Sequence, residues 1–204
     1  MIAKKSCIFI IIIGEKQFFA DLFINNWLYI GFDNKVKDNE IVDYLNKTGL
    51  FKTVDVTKIY RPNESPHNKN EHIRLFVNTK ERKTCSQLKE IINMLEKSPI
   101  IVAADLAFCQ TYYNCSVKMS YTNFIYVKVK DKDDLSDLYA VTQETNTWID
   151  ESRIDSAYPD LFYVVINKNS KGNVLQMANY FGETGKFALS IPCEVYSEST
   201  LYAD

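Results

Sequence analysis

Histidine is almost missing from this chain of 204 residues, which has two, His67 and His72. Both belong to the hydrophilic stretch "RPNESPHNKNEH", which reads as an exposed loop ending at the first residue of a strand. A nucleophile needs a base held beside it. Neither histidine lies in a glycine-rich or elbow setting, and no Gly-x-Ser-x-Gly occurs. With Glu64 or Glu71 the pair would make a poor metal site, because nothing in the loop holds the ligands in orientation. Glycine is scarce too, at six residues. A phosphate cradle needs glycines clustered ahead of a helix, whereas Gly172 stands alone before "NVLQMANYF" and reads as part of a turn. Asp131, Asp133, Asp134 and Asp137 could suggest a hard cation, but acids in a first helical turn are what the helix dipole favours. No catalytic, cofactor-binding or metal site is therefore expected, and the chain reads as a non-enzyme.

Charge of one sign is also lacking. With 24 basic and 26 acidic residues the net charge is −2, so no field exists to draw in nucleic acid or anionic lipid. The longest apolar run, Cys7–Ile13, follows two lysines and superficially resembles a signal peptide, but no small-residue cleavage site follows. It is far short of the roughly 20 residues a membrane helix needs. A β-hairpin is the better reading, Cys7–Ile13 and Gln17–Ile24 around a Gly-Glu-Lys turn. Five cysteines, an odd number, argue against a complete disulfide framework. Cys85 and Cys193 read as small buried apolar residues. Cys109 and Cys115 could close a small loop or remain free thiols.

What is present is aromatic and periodic: thirteen Tyr and twelve Phe suit a sheet-rich protein. "WLYIGF" (27–32) reads as a strand. Asp38 can cap a helix with Ile41, Val42 and Leu45 inward, and Gly49 is placed to end it. Phe51, Val54 and Val56 begin another strand. "HIRLFV" (72–77) alternates, Thr84 and Gln87 form a capping-box pair, and Leu88, Ile91, Ile92 and Leu95 make a helical stripe. Pro99 stops that helix before the buried strand 100–108. The same order recurs in the second half. "FIYVKV" (124–129) is a strand, and Asp133 or Asp134 caps a helix facing inward through Leu135, Leu138, Tyr139 and Thr142. "TNTWID" (145–150) and "LFYVVI" (161–166) are strands. Val174, Met177, Ala178 and Phe181 mark a helix ended by Gly185, and "KFALSI" (186–191) is the last strand.

Four β-α-β units in two pairs imply an α+β chain, a tandem of two ferredoxin-like (β-α-β-β-α-β) domains. The N-terminal hairpin (1–24) is expected to pack on the first domain (25–108). A connection (109–121) then leads to the second domain with an extended tail (122–204). Thr48-Gly49-Leu50-Phe51 and Thr184-Gly185-Lys186-Phe187 fall at matching places in the two halves. Such a fold can bind RNA through a basic-glycine-aromatic strand, but "HIRLFVNT" and "LFYVVINK" lack the glycine and the basic start.

The second half carries a family resemblance. Thr145-Asn146-Thr147, Lys168, Ser170-Lys171-Gly172-Asn173, Leu175, Met177-Ala178-Asn179, Phe181, Glu183-Thr184-Gly185, Phe187 and Pro192 follow a pattern that resembles the region preceding the catalytic domain in subtilisin-like serine proteases of the Bacteroidetes. "GEKQFF…LYIGFDNK" resembles the upstream part more weakly. The resemblance implies a ferredoxin-like pro-region that inhibits or helps fold a subtilisin-like protease, in an extracytoplasmic setting. An extended exit segment from Pro192 to Asp204 would enter the partner's cleft, giving Pro192, Cys193, Glu194, Val195 and Tyr196 as partner-binding residues. None of the protease's own triad motifs is present.

Two further functions fit the residues. One is a secreted or cell-surface adhesion module, suggested by the tyrosines of "TYYN" and "MSYTNFIY", which are equally suited to core packing. The other is a small-molecule-binding regulatory domain pair, with a ligand such as an amino acid between the two domains.

Overall fold

The computed structural model describes residues 10–13, 16–19, 23–63, 65, 70–109 and 117–197, with side chains for 26–63, 65, 70–108 and 117–197. The chain is a mixed α+β protein built on an antiparallel sheet. Its first half runs β3 (Phe23–Phe32), α1 (Asp38–Thr48), β4 (Ile73–Asn78), α2 (Cys85–Leu95) and β5 (Ile101–Cys109). Its second half runs β6 (Lys118–Lys128), α3 (Ser136–Thr145), β7 (Trp148–Ile149), β8 (Leu161–Val165), α4 (Val174–Glu183) and β9 (Leu189–Tyr196). Ahead of these, β1 (Ile10–Ile13) and β2 (Lys16–Phe19) pair antiparallel, Ile13 opposite Lys16. The expectation put this hairpin on the first half; β1 instead runs beside α4 and β9.

In the first half β3 lies between β4 and β5, and Phe51 bridges Thr79 just past the end of β4. In the second half β6 lies between β9 and β8, with β7 outside β8. Each half thus lays its strands side by side as last, first, third, second. Phe108 opposite Met119 and Cys109 opposite Lys118 join the halves into one seven-stranded sheet.

Register decides which face is core. Residues directly opposite in a ladder point to the same side of the sheet. Leu28, Ile30 and Phe32 face the same way as their partners Val77, Leu75 and Ile73, and all are buried with Ile41, Leu45, Leu88 and Leu95 of the helices. Phe108 shares that side and hands it to Met119 across the joint, so Ile125, Val127, Val164 and Phe181 extend one continuous core. The helices of both halves therefore cover one face. On the other face the β3 positions alternate as Trp27, Tyr29 and Gly31.

Helix ends follow local chemistry. Gly49 and Gly185 take φ of 71° and 67°, a region costly for a residue with a Cβ, and Phe51 and Phe187 then turn into the core. The cap of α1 is Lys37, not Asp38; its N–H donates to Glu40 Oε2 at 2.9 Å, while the Asp38 carboxylate pairs with Arg61 at 2.7 Å. Residues 51–56 do not continue as a strand. Asp55 Oδ1 accepts from the Thr57 N–H at 2.9 Å and its hydroxyl at 2.7 Å, winding Val56–Lys58 into a 3-10 turn. Likewise α3 absorbs Thr145, Asn146 takes φ 55°, and little of 145–150 remains as strand. The buried face of α3 is Leu138, Val141, Thr142 and Thr145, leaving Tyr139 55% exposed.

Two expectations for polar groups are corrected. His72 is buried, 4% exposed, because Gly31 leaves room for it. A Cβ on Gly31 would sit 2.3 Å from His72 Cδ2 and Nε2. Cys85, expected as a buried thiol, is half-buried at the start of α2 and disulfide-bonded, while Cys193 is free. Cys7, Cys115, His67 and the hairpin's turn lie outside the described residues, as does the side chain of Cys109.

Gly31→Ala forces the His72 ring out of place, and urea denaturation should show a loss of about 2–4 kcal/mol. Cys85→Ser should lower stability by about 2–4 kcal/mol, read by urea titration without reductant.

Candidate functional site

The joint between β5 and β6 opens into a cleft. Past Phe108 and Cys109 the two strands separate, because the edge of β6 that met β5 is taken up from Phe124 onward by β8, with Phe124 opposite Val165. Residues 120–123 lie between the two partners on this edge, while on the other edge β6 pairs with β9 through Tyr121 and shifts register before Ile125. The Ser120 hydroxyl donates to Leu106 O at 2.9 Å, and Thr122 Oγ1 accepts from the Phe124 N–H at 3.2 Å. Such local side-chain bonds stand in for ladder bonds. The opening holds about 430 Å³. It is lined by β5, by residues 121–123, by α2, and by the loop and first turns leading into α4.

Asp105 lies in the wall of this cleft, 9% exposed. Its Oδ1 accepts from the neighbouring Leu106 N–H at 2.8 Å, and among the described residues the carboxyl has no other hydrogen-bond donor. Burial pushes its pKa up to about 7; the Leu106 amide opposes this, Glu96 adds to it and Lys89 offsets part. The Glu96 carboxyl, also in the lining, is raised by burial against the pull of the Ala104 amide and Lys168. Lys168 spans the mouth, its Nζ donating to Ser98 O at 2.9 Å. Asn173 and Gln176 are tied into the cap of α4. The Ser170 hydroxyl accepts from Asn167 N–H at 3.1 Å and donates to Asn146 O at 3.0 Å, so it serves the loop.

A second hollow of about 360 Å³ adjoins the cleft, sharing Asn123, Ile166 and Asn167 and reaching Glu71, His72 and Trp148. Here the halves are clamped together. Asn123 Nδ2 donates to Asn70 O at 3.0 Å. Glu71 pairs with Arg153 of the second half and, at 3.7 Å, with Arg74 of β4. The Arg153 guanidinium lies over Phe124 and Tyr163, at 4.6 and 5.3 Å from the ring centres, and 3.5 Å from the buried Asp150. Arg74 lies over Tyr60 at 4.0 Å. Below them the Tyr29 hydroxyl and His72 Nε2 are 2.6 Å apart. Burial, and then the charge of Arg74, depress the His72 pKa to about 3; burial raises the Tyr29 phenol. Both groups are therefore neutral and share one hydrogen bond.

The residues expected to bind a partner lie elsewhere, inside β9. Pro192 is opposite Ile125, Glu194 opposite Tyr121, Val195 opposite Ser120 and Tyr196 opposite Met119. The Cys193 thiol donates to the Tyr126 hydroxyl at 3.4 Å, and Val195 is buried. Pro192 is tolerated because β9 is an edge of the described sheet. Residues 198–204 of the expected exit segment lie outside the described residues. Asp105 escaped notice in the sequence, although one acid in the apolar run "IIVAADLAF" was the available signal.

No family model matches this chain, and no curated protein does. Among solved structures, the small subunit of acetolactate synthase from Thermotoga maritima is similar over 84% of this chain and 94% of that one, at 12% identity and a TM-score of 0.30. A likeness that distant carries no weight for function. No described helix is long and apolar enough to cross a membrane.

The raised carboxyl gives a signed expectation. Between about pH 4, where an unfolded aspartate ionises, and about pH 7, folded Asp105 keeps its proton while the unfolded chain releases it. Stability due to this group therefore falls as pH rises through that window. His72 acts oppositely, its contribution being lost as pH falls from about 6.5 toward about 3. Comparing variant with parent at each pH isolates the first effect. Asp105→Asn should be more stable than the parent at pH 8, by on the order of 2 kcal/mol, with the gap shrinking at pH 5 in urea titrations.

Proposed function

We propose that this chain is a non-catalytic, small-molecule-binding domain pair whose ligand occupies the cleft between its halves. The last-first-third-second strand order of each half supports reading it as a tandem of two ferredoxin-like domains. The observation that carries the binding proposal is Asp105, whose buried carboxyl borders a cavity and has an acceptor oxygen with no donor among the described residues. Its Oδ1 already accepts from the Leu106 N–H, and a ligand that brings a donor into the cleft would satisfy the other oxygen. The volume suits a small organic molecule.

The cleft suggests the ligand's polarity. An ammonium group matches Asp105, with Glu96 nearby, and the exposed Lys89 and Lys168 at the rim suit a negative or strongly polar far end. A zwitterion such as an amino acid has that polarity. Extracytoplasmic location is part of the same reading and is supported by the disulfide at Cys85, since disulfides persist in oxidising compartments.

The test is a thermal-shift and calorimetric panel of amino acids and other small ammonium compounds, at pH 6 and pH 8. A group titrating near 7 is about tenfold more ionised at pH 8 than at pH 6, so a cationic ligand should bind up to about tenfold tighter at pH 8. Asp105→Asn should abolish that difference and most of the affinity. Ligands that bind equally to parent and variant at both pH values would refute this site.

A further inference from the structure

The outer edge of β4 has a gap one residue long, and we infer that it is a second ligand site, taking a small 2-hydroxy acid with an apolar side group. At one end Arg74 and Tyr60 exchange two main-chain hydrogen bonds of 2.9 Å, and at the other the Lys52 N–H donates to Asn78 O at 2.8 Å. Between these ties residues 53–59 bow away from the edge through the 3-10 turn at Val56–Lys58. Main-chain groups alternate sides along a strand. With Arg74 and Asn78 directed outward, the N–H and C=O of Phe76 are directed outward too, and among the described residues no main-chain group pairs with them. The ties bar an extended chain at either end. What fits is a molecule that carries the polar groups of a single strand residue. A 2-hydroxy acid does so. Its hydroxyl stands where such a residue has its N–H and donates to Phe76 O, while a carboxylate oxygen stands where the carbonyl would be and accepts from the Phe76 N–H.

The surroundings select the rest of the molecule. A hollow of about 180 Å³ lies in the gap, bordered by the half-buried rings of Trp27 and Phe76 and by Val54. That is below the roughly 300–1,000 Å³ of sites for drug-sized ligands, so the acid is small. Side groups opposite one another in a ladder share a face, which sets the acid's apolar group beside the Phe76 ring. Lys52, Lys58 and Lys118 stand around the hollow against one acid, Asp55. Asp55 is engaged by Thr57, and Lys118 lies 4.6 Å from the centre of the Trp27 ring. Lys52 and Lys58 are exposed. A chain with overall net charge −2 here presents a local excess of cations, which strengthens binding of a carboxylate. The same cations count against an amino acid of equal shape, whose ammonium cancels its negative charge.

The probe is 3-phenyllactate, titrated into the isotope-labelled full chain and followed by amide and indole signals in two-dimensional NMR. Saturable shifts of the Phe76 amide and the Trp27 indole are expected. Removing the ligand's hydroxyl, in 3-phenylpropanoate, should weaken binding at least fivefold by taking away the donor to Phe76 O. Phenylalanine should also bind at least fivefold more weakly. The double substitution Lys52→Met and Lys58→Met should cost 3-phenyllactate at least tenfold. Absence of a saturable shift at Phe76, equal affinity for 3-phenylpropanoate or phenylalanine, or indifference to the lysine substitutions overturns the proposal. Binding that appears only after residues 198–204 are deleted overturns it as well, assigning the hollow to the chain's own continuation beyond Ser197, which borders it. None of these outcomes depends on Asp105 or on the cleft.

Discussion

Glu71, just ahead of β4, sits between two guanidiniums, Arg74 of that strand and Arg153 of the other half. The side chains in this group are between 14% and 19% exposed, so the charges are poorly served by water. Removing the carboxylate would take the ion-pair partner from Arg74 and leave Arg153 with Asp150. The cluster therefore tolerates one arrangement of the halves and penalises others. Aromatic faces complete it, with Arg153 over Phe124 and Tyr163 and Arg74 over Tyr60. Tyr29 and His72 fill the space behind it as a neutral pair.

The cleft follows from the sheet's connectivity. One edge of β6 serves β5 at its start and β8 afterwards, and a strand edge cannot pair with both at one point. Between the two partners this edge keeps the Ser120 hydroxyl bond to Leu106 O and the main-chain bond from the Ile166 N–H to Asn123 O, beside the opening at Asp105. The Glu71 ion pair with Arg153 and the Asn123 bond to Asn70 O link the halves beside it. The cleft is a consequence of one edge of β6 serving two partners in turn.

Much of this was legible beforehand because it is local. The stripe Leu88, Ile91, Leu95 and the pair Thr84–Gln87 mark α2 without any knowledge of its neighbours, and both are found there. The repeated Thr-Gly-x-Phe marks two helix ends, since φ near 70° suits glycine wherever it occurs. The misjudged places were those where a side chain chooses a distant partner. Asp38 is drawn off to Arg61, and His72 is taken in by a glycine 41 positions earlier in the sequence. A resemblance resting on Gly185, Phe187 and Pro192 rested on residues that the fold uses for a helix end, the core and an edge strand.

The amino-acid sequence by itself determined α2 and α4 and their inward faces, because periodicity, caps and breakers act within a few residues. It also determined the antiparallel pairing within each half, since strand-helix-strand order admits few arrangements. Only the tertiary structure decided that β6 changes partner, that Asp105 borders a cavity, and that Glu71 joins the halves. Those outcomes depend on which groups meet across fifty or eighty positions of chain, and the energy of a buried charge is set by its surroundings, which no short stretch of sequence contains.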